Sequence, residues 1–182
     1  MILTNANAYI GGTTISGGQF VVNNTTGSGT GSGSVQVNAG SLGGRGIIAG
    51  AVSVGTGSGS GAFLSPGKSS VSPGTLTIQS TLAFNSDATY KFTLNSGRAT
   101  AGKVVANGVA IGSGALFSPS DLGNSALPLG TVFTVIDNTA ATPITGTFSN
   151  LADGSTFTVG SNTFQVSYQG GDGNDLTLTV VP

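Results

Sequence analysis

Between Ser34 and Gly74 the chain reads SVQVNAGSLGGRGIIAGAVSVGTGSGSGAFLSPGKSSVSPG, short apolar alternations separated again and again by glycine and serine. Val35/Val37, Ile47, Val52/Val54 and Phe63 each mark a strand, and each is followed by glycine-rich punctuation. Alternate residues of a strand point to opposite faces, so such pairs feed one continuous interior. No apolar stripe of helical period competes with them. A chain built this way folds as an all-β protein with a thin, repetitive core and many tight corners.

Composition narrows the classes that remain. Apolar residues make up 37% and charged residues only 6%. Disordered chains combine low hydrophobicity with high charge, so disorder fits poorly despite 32 glycines. The five basic residues, Arg45, Lys68, Lys91, Arg98 and Lys103, are scattered. A nucleic-acid binder needs a clustered basic footprint, so neither nucleic acid nor an anionic membrane surface is an expected partner. No window approaches the roughly 18–20 apolar residues of a spanning helix, so membrane insertion is not expected. The absence of cysteine excludes disulfides and thiolate metal sites. The start, MILTNANAYIGG, lacks the basic region and long apolar core of a signal peptide, which suits a mature or excised segment of an exported protein.

Met1–Ile10 is free of glycine and reads as a first strand or an extended arm. Gly11–Gly18 reads as a turn-rich lead-in and Gln19–Asn23 as a strand. From Phe20/Val22 to Val35/Val37 is 15 residues, and from there to Val52/Val54 is 17. Irregular repeats of short strands with glycine corners are the pattern of a β-solenoid; a β-sandwich is the alternative. Two Ser-Pro-Gly triplets within Ser65–Gly74 read as corners. Strands are expected at Thr75–Ile78, Thr81–Phe84 and Thr89–Leu94, the last with Tyr90/Phe92/Leu94 on one face, then at Val104–Ala106 and Val109–Ile111. Leu116–Leu129 breaks the pattern and reads as a protruding loop or short helical turn. Thr131–Ile136, Ile144–Phe148, Phe157–Val159, Phe164–Tyr168 and Leu176–Val180 complete the series, the last two as a terminal hairpin. The expected organisation is an arm over residues 1–15 and a single solenoid module over 16–182.

Little in the chain points to catalysis. There is no histidine and no glutamate. Acid–base chemistry would rest on Asp87, Asp121, Asp137, Asp153, Asp172 and Asp175, on three tyrosines and on the lysines. These aspartates sit beside asparagine, glycine, serine or alanine, where a short carboxylate serves a turn. A pair converging across stacked strands would be needed for a polysaccharide-acting enzyme. Gly170–Asp175 (GGDGND) matches the opening of a calcium-binding nonapeptide. The motif occurs once, however, and Thr177 stands where the bulky apolar residue belongs, so a hairpin turn is the favoured reading. No catalytic residue, cofactor or metal is expected. Tyr9 and Tyr90 are candidate stacking platforms for glycans, and threonine rows such as Thr156/Thr158 suit strand faces.

Several segments carry a family resemblance: QVNAGSLGGRG (Gln36–Gly46), LSPG (Leu64–Gly67), SPGTLTI (Ser72–Ile78), TGTFS (Thr145–Ser149), TFQVSY (Thr163–Tyr168) and GGDGNDLTLTVV (Gly170–Val181). In content and order they resemble the autotransporter-associated β-strand repeat. The resemblance covers most of the chain from about Ser16 onward and carries over no catalytic residue. It implies a right-handed parallel β-helix, of the passenger type found on bacterial surfaces. The function it implies is an extracellular structural or adhesive module. Solenoid ends expose unpaired strand edges, so head-to-tail self-association into a fibre is the expected assembly, by strand addition or coil stacking. Ile2, Leu3, Tyr9 and Ile10 are the candidate assembly residues, and surface glycans are the other candidate partner.

Overall fold

The computed structural model describes residues 1–67 and 72–182. Lys68–Val71, within the stretch read as a pair of Ser-Pro-Gly corners, lies outside the described residues. The chain is all-β, as its alternation demands. Among the described residues, 17 strands form two curled, mixed sheets that together make a half-barrel. Among the described residues there is no α-helix, only a 3-10 turn at Ser96–Arg98.

The first sheet is dominated by parallel pairing. β1 (Ile2–Leu3) lies on β2 (Thr13–Val22), and β2 on β3 (Val35–Gly44). β3 is long enough to serve two followers, β5 (Val52–Val54) through Val35–Val37 and β6 (Ala62–Pro66) through Gly40–Gly43. From β5 the ladder runs to β8 (Leu82–Phe84) and β12 (Val109–Ile111). From β6 it runs to β9 (Ala88–Asn95) and β13 (Leu116–Asp121). The short β10 (Thr100–Ala101) folds back antiparallel on β9. The second sheet begins with parallel strands β4 (Ile47–Ile48), β7 (Thr75–Ile78), β11 (Lys103–Ala106) and β14 (Val132–Asn138). It ends in an antiparallel meander of β17 (Asp175–Val181), β16 (Asn162–Gly170) and β15 (Thr156–Val159). The expected terminal hairpin is the β16–β17 pair.

Parallel offsets run from 17 residues (Val35 to Val52) to 32 (Val104 to Ile136). Such irregularity is tolerated because only the inward residue of each strand must match its neighbour. Val35, Val52, Leu82 and Val109 form one such inward row, all buried. Between rows the chain turns so tightly that only glycine fits. Gly44 has φ +115°, and a Cβ there would run into the Val22 carbonyl.

Core thickness changes along the chain. Valine, leucine and isoleucine, with Phe20, fill the early rungs, whereas Phe84, Tyr90, Phe92, Phe117, Phe148, Phe157 and Phe164 form one connected aromatic cluster further on. Tyr90 lies at its centre, fully buried, and its hydroxyl donates to the Val135 carbonyl at 3.1 Å.

Three local expectations are corrected. Gly11–Gly18 is not all lead-in: β2 starts at Thr13, and its parallel ladder with β3 carries the chain past the irregularity at Gly17–Gly18. Leu116–Asp121 is a strand, not the start of a loop. Pro119 is harmless there because β13 bonds to β9 through Ser118, Ser120 and Leu122, leaving the nitrogen of Pro119 on the outer edge. Ile144–Phe148 makes only one bridge, Thr145 with Ala110, since Gly146 turns away at φ +78°. Its Phe148 is instead a plug in the aromatic cluster.

Candidate functional site

Residues 1–10 lie as a partial rung along the first strands of their own chain. The Met1 amine donates to the Gln19 carbonyl at 2.7 Å. The carbonyls of Met1 and Leu3 accept from Val21 and Asn23. Further on, Asn7 donates its backbone N–H to Ser28 and its side-chain amide to Gly29, and the Tyr9 carbonyl accepts from Ser32. The Tyr9 hydroxyl shares a 2.7 Å hydrogen bond with that of Thr13.

The four candidate assembly residues divide by this geometry. Leu3 is half-buried against the core. Ile2, Tyr9 and Ile10 face outward, at 63%, 40% and 85% exposure, and Met1 joins them. In a parallel ladder alternate residues bond to the same side. With Leu3 directed at β2, the N–H and C=O of Ile2 point away from the sheet. The rung is therefore held by backbone bonds, the Asn7 and Tyr9 side-chain bonds and one apolar anchor, and it presents apolar side chains and a strand edge to its surroundings.

The opposite end is built differently. The Asn150 side chain mimics a strand on the edge of β13, accepting from the Phe117 N–H at 2.9 Å and donating to the Phe117 carbonyl at 2.8 Å. Thr145 exchanges backbone bonds with Val109 and Ile111 on the edge of β12. The antiparallel meander covers β14. Edges left open at the start of the chain are blunted at its end.

The aspartates are spread over the molecule and bound to it. Asp87 accepts from the N–H groups of Thr56, Gly57 and Gly59 and so pins the loop after β5. Asp121 accepts from the N–H and hydroxyl of Ser96 and from the Gly123 N–H. At both sites partial burial opposes ionisation, yet the donated bonds outweigh it and hold the carboxyl below its ordinary value. Asp153 accepts from the Tyr168 N–H, and Asp137 pairs with Lys103 at 2.9 Å. Asp172 is exposed on the Gly170–Asp175 turn, which joins β16 to β17. Among the described residues no group of three acidic side chains is placed to hold a metal ion.

Sequence reasoning missed the asparagines and Ser28, which act the same way. Asn24 accepts from the Ile47 N–H, Ser28 from Ala49, Asn138 from Gly108 and Asn162 from Leu127. Each bonds a backbone N–H belonging to a neighbouring rung. Their separation in sequence is as irregular as the strand offsets, so no fixed spacing advertises them. Of the suggested glycan platforms, Tyr90 is ruled out by complete burial, and Tyr9 alone remains exposed.

Asp175 is the exception among the carboxylates. Burial raises its pKa, and Asp137 and Asp172 raise it further, against the Asn138 N–H and Lys103, which lower it. A folded pKa above the ordinary 3.8 means a contribution to stability that is complete below that value and is lost as pH rises through the folded pKa. Asp175→Asn keeps an oxygen for the Asn138 N–H and removes the charge. It is expected to melt above the parent at pH 7, with the gap closing toward about pH 3. Thermal melts at both pH values check this; a variant that melts below the parent at pH 7 would refute it.

No protein-family model matches the chain, and no curated protein matches it. No helix among the described residues is long and apolar enough to cross a membrane.

Proposed function

We propose that the chain is an extracellular structural and adhesive module of a bacterial surface, a right-handed parallel β-solenoid that associates with its own copies head to tail into a fibre. The observation that carries this reading is the N-terminal rung. It completes a ladder mainly through backbone bonds, with the Asn7 and Tyr9 side-chain bonds and a single half-buried apolar anchor, Leu3, so a neighbouring copy could accept the same strand at small cost in apolar contact. The parallel ladders support the solenoid, and the resemblance of the C-terminal segments to autotransporter-associated repeats supports the setting. The role is structural, not enzymatic: Asp87, Asp121, Asp153 and Asp175 bind backbone N–H groups and Asp137 binds Lys103.

Negative-stain electron microscopy of the full chain and of a chain lacking Met1–Ile10 tests the proposal. Filaments that vanish on truncation are expected. Filaments that survive would move the junction to stacked ends, and short single rods from the full chain would refute self-association.

A further inference from the structure

Five of the six carboxylates of this protein, and several of its asparagines, are held by neighbouring backbone or by Lys103. One concavity is lined by side chains with capacity left over. It lies on the outward face of the C-terminal meander, has a volume of about 270 Å³, and is bounded by Asp153, Gly154, Gln165, Val166, Ser167 and Thr179. Gln165 and Thr179 are directly paired across β16 and β17 and point outward. Gly154 forms the notch: it continues the line of β15, bonded to Val166, and a Cβ built on it would meet nothing within 4 Å.

The valences define what could enter. One oxygen of Asp153 accepts from the Tyr168 N–H at 2.9 Å, leaving the other to accept. The Ser167 oxygen accepts from the Gln169 N–H, which leaves its hydroxyl proton to donate. The Gln165 amide can donate and accept, and the Thr179 hydroxyl can do both. A carboxylate acceptor, an amide and two hydroxyls on one small concave surface complement adjacent hydroxyl groups of a neutral polyol. An anionic sugar would meet the Asp153 charge with no cation in the lining to offset it. A metal ion would find a single carboxylate. At this volume, below the usual range for drug-sized ligands, there is room for one sugar ring.

The geometry points to a binding site for one neutral pyranose residue, such as the exposed end of a surface glycan, at the Asp153–Gln165–Ser167–Thr179 notch. This gives the adhesive part of the proposed function a ligand class and rests on that part alone. It lies on a different element from the N-terminal rung, so its failure would leave self-association standing. The lining holds no aromatic platform, so affinity for a single sugar is weak, with Kd on the order of 1–10 mM, and useful adhesion needs several copies in one assembly.

Saturation-transfer difference NMR with the intact chain tests it. The probes are methyl β-D-glucopyranoside, methyl β-D-galactopyranoside, methyl α-D-mannopyranoside and N-acetylglucosamine, with glucuronic acid as the anionic comparison. At least one neutral probe should give transfer that falls several-fold in both Gln165→Leu and Thr179→Val, while glucuronic acid gives none. Both substitutions sit on an outward face, and unchanged thermal melts confirm that the fold is kept. No transfer to any neutral probe, transfer unaffected by both substitutions, or equal transfer to glucuronic acid would each overturn the assignment.

Discussion

Replacing Phe117 by alanine is expected to cost about 3–5 kcal/mol. The ring is 2% exposed and meets four others: Phe92 at 5.5 Å and Tyr90, Phe148 and Phe157 at 5.9 Å between centroids. Those neighbours come from both sheets and from the plug after β14, so they cannot close over the void together. At about 2–4 °C for each kcal/mol in a chain of this size, the melting temperature should fall by roughly 6–20 °C. Phe63→Ala is the control. Its ring lies on the outer face of β6 beneath the Lys91 ammonium, 3.7 Å from its centroid, and its removal should cost no more than about 1 kcal/mol. Equal losses in the two variants would mean that the aromatic cluster is not the centre of stability.

The second large effect is expected at Gly44. Alanine there must hold φ near +115° and must push its methyl into the Val22 carbonyl, which already accepts from Arg45 and Gly46. Backbone strain of about 1–3 kcal/mol and a similar cost for overpacking add at one corner. Gly130→Ala separates the two causes. Its φ is +82°, but a Cβ there meets nothing within 4 Å, so it carries the strain without the collision. Denaturant titration should place Gly44→Ala well below Gly130→Ala; equal midpoints would show that the rungs part easily at this corner.

What could be read in the sequence follows from what each element needs. β9 was legible because Tyr90, Phe92 and Leu94 alternate with Lys91 and Thr93, and all three are fully buried. β14 was legible from its apolar run, and all but one of its apolar residues are buried, Val132 being 56% exposed. β13 was hidden because Pro119 reads as a breaker unless the strand is known to lie at an edge. Ile144–Phe148 looked like a strand because its apolar spacing is right, yet Gly146 spends that spacing on a turn that seats Phe148. The outward Ile2 and Ile10 were legible as apolar residues of the glycine-free first segment. Their pairing with the chain's own β2 was not, since nothing local distinguishes a partner in the same chain from one in another. The staples formed by Asn24, Ser28, Asn138, Asn150 and Asn162 depend on contacts between rungs. No local motif encodes these contacts.

The shift from aliphatic to aromatic filling along the stack gives the molecule a mechanical polarity. Under tension a layered structure yields where each layer is most weakly held. Here that place is the first strand segment, bound by backbone bonds, the Asn7 and Tyr9 side chains and Leu3, and then the mostly aliphatic strands behind it. The interlocked rings near the other end would give way last.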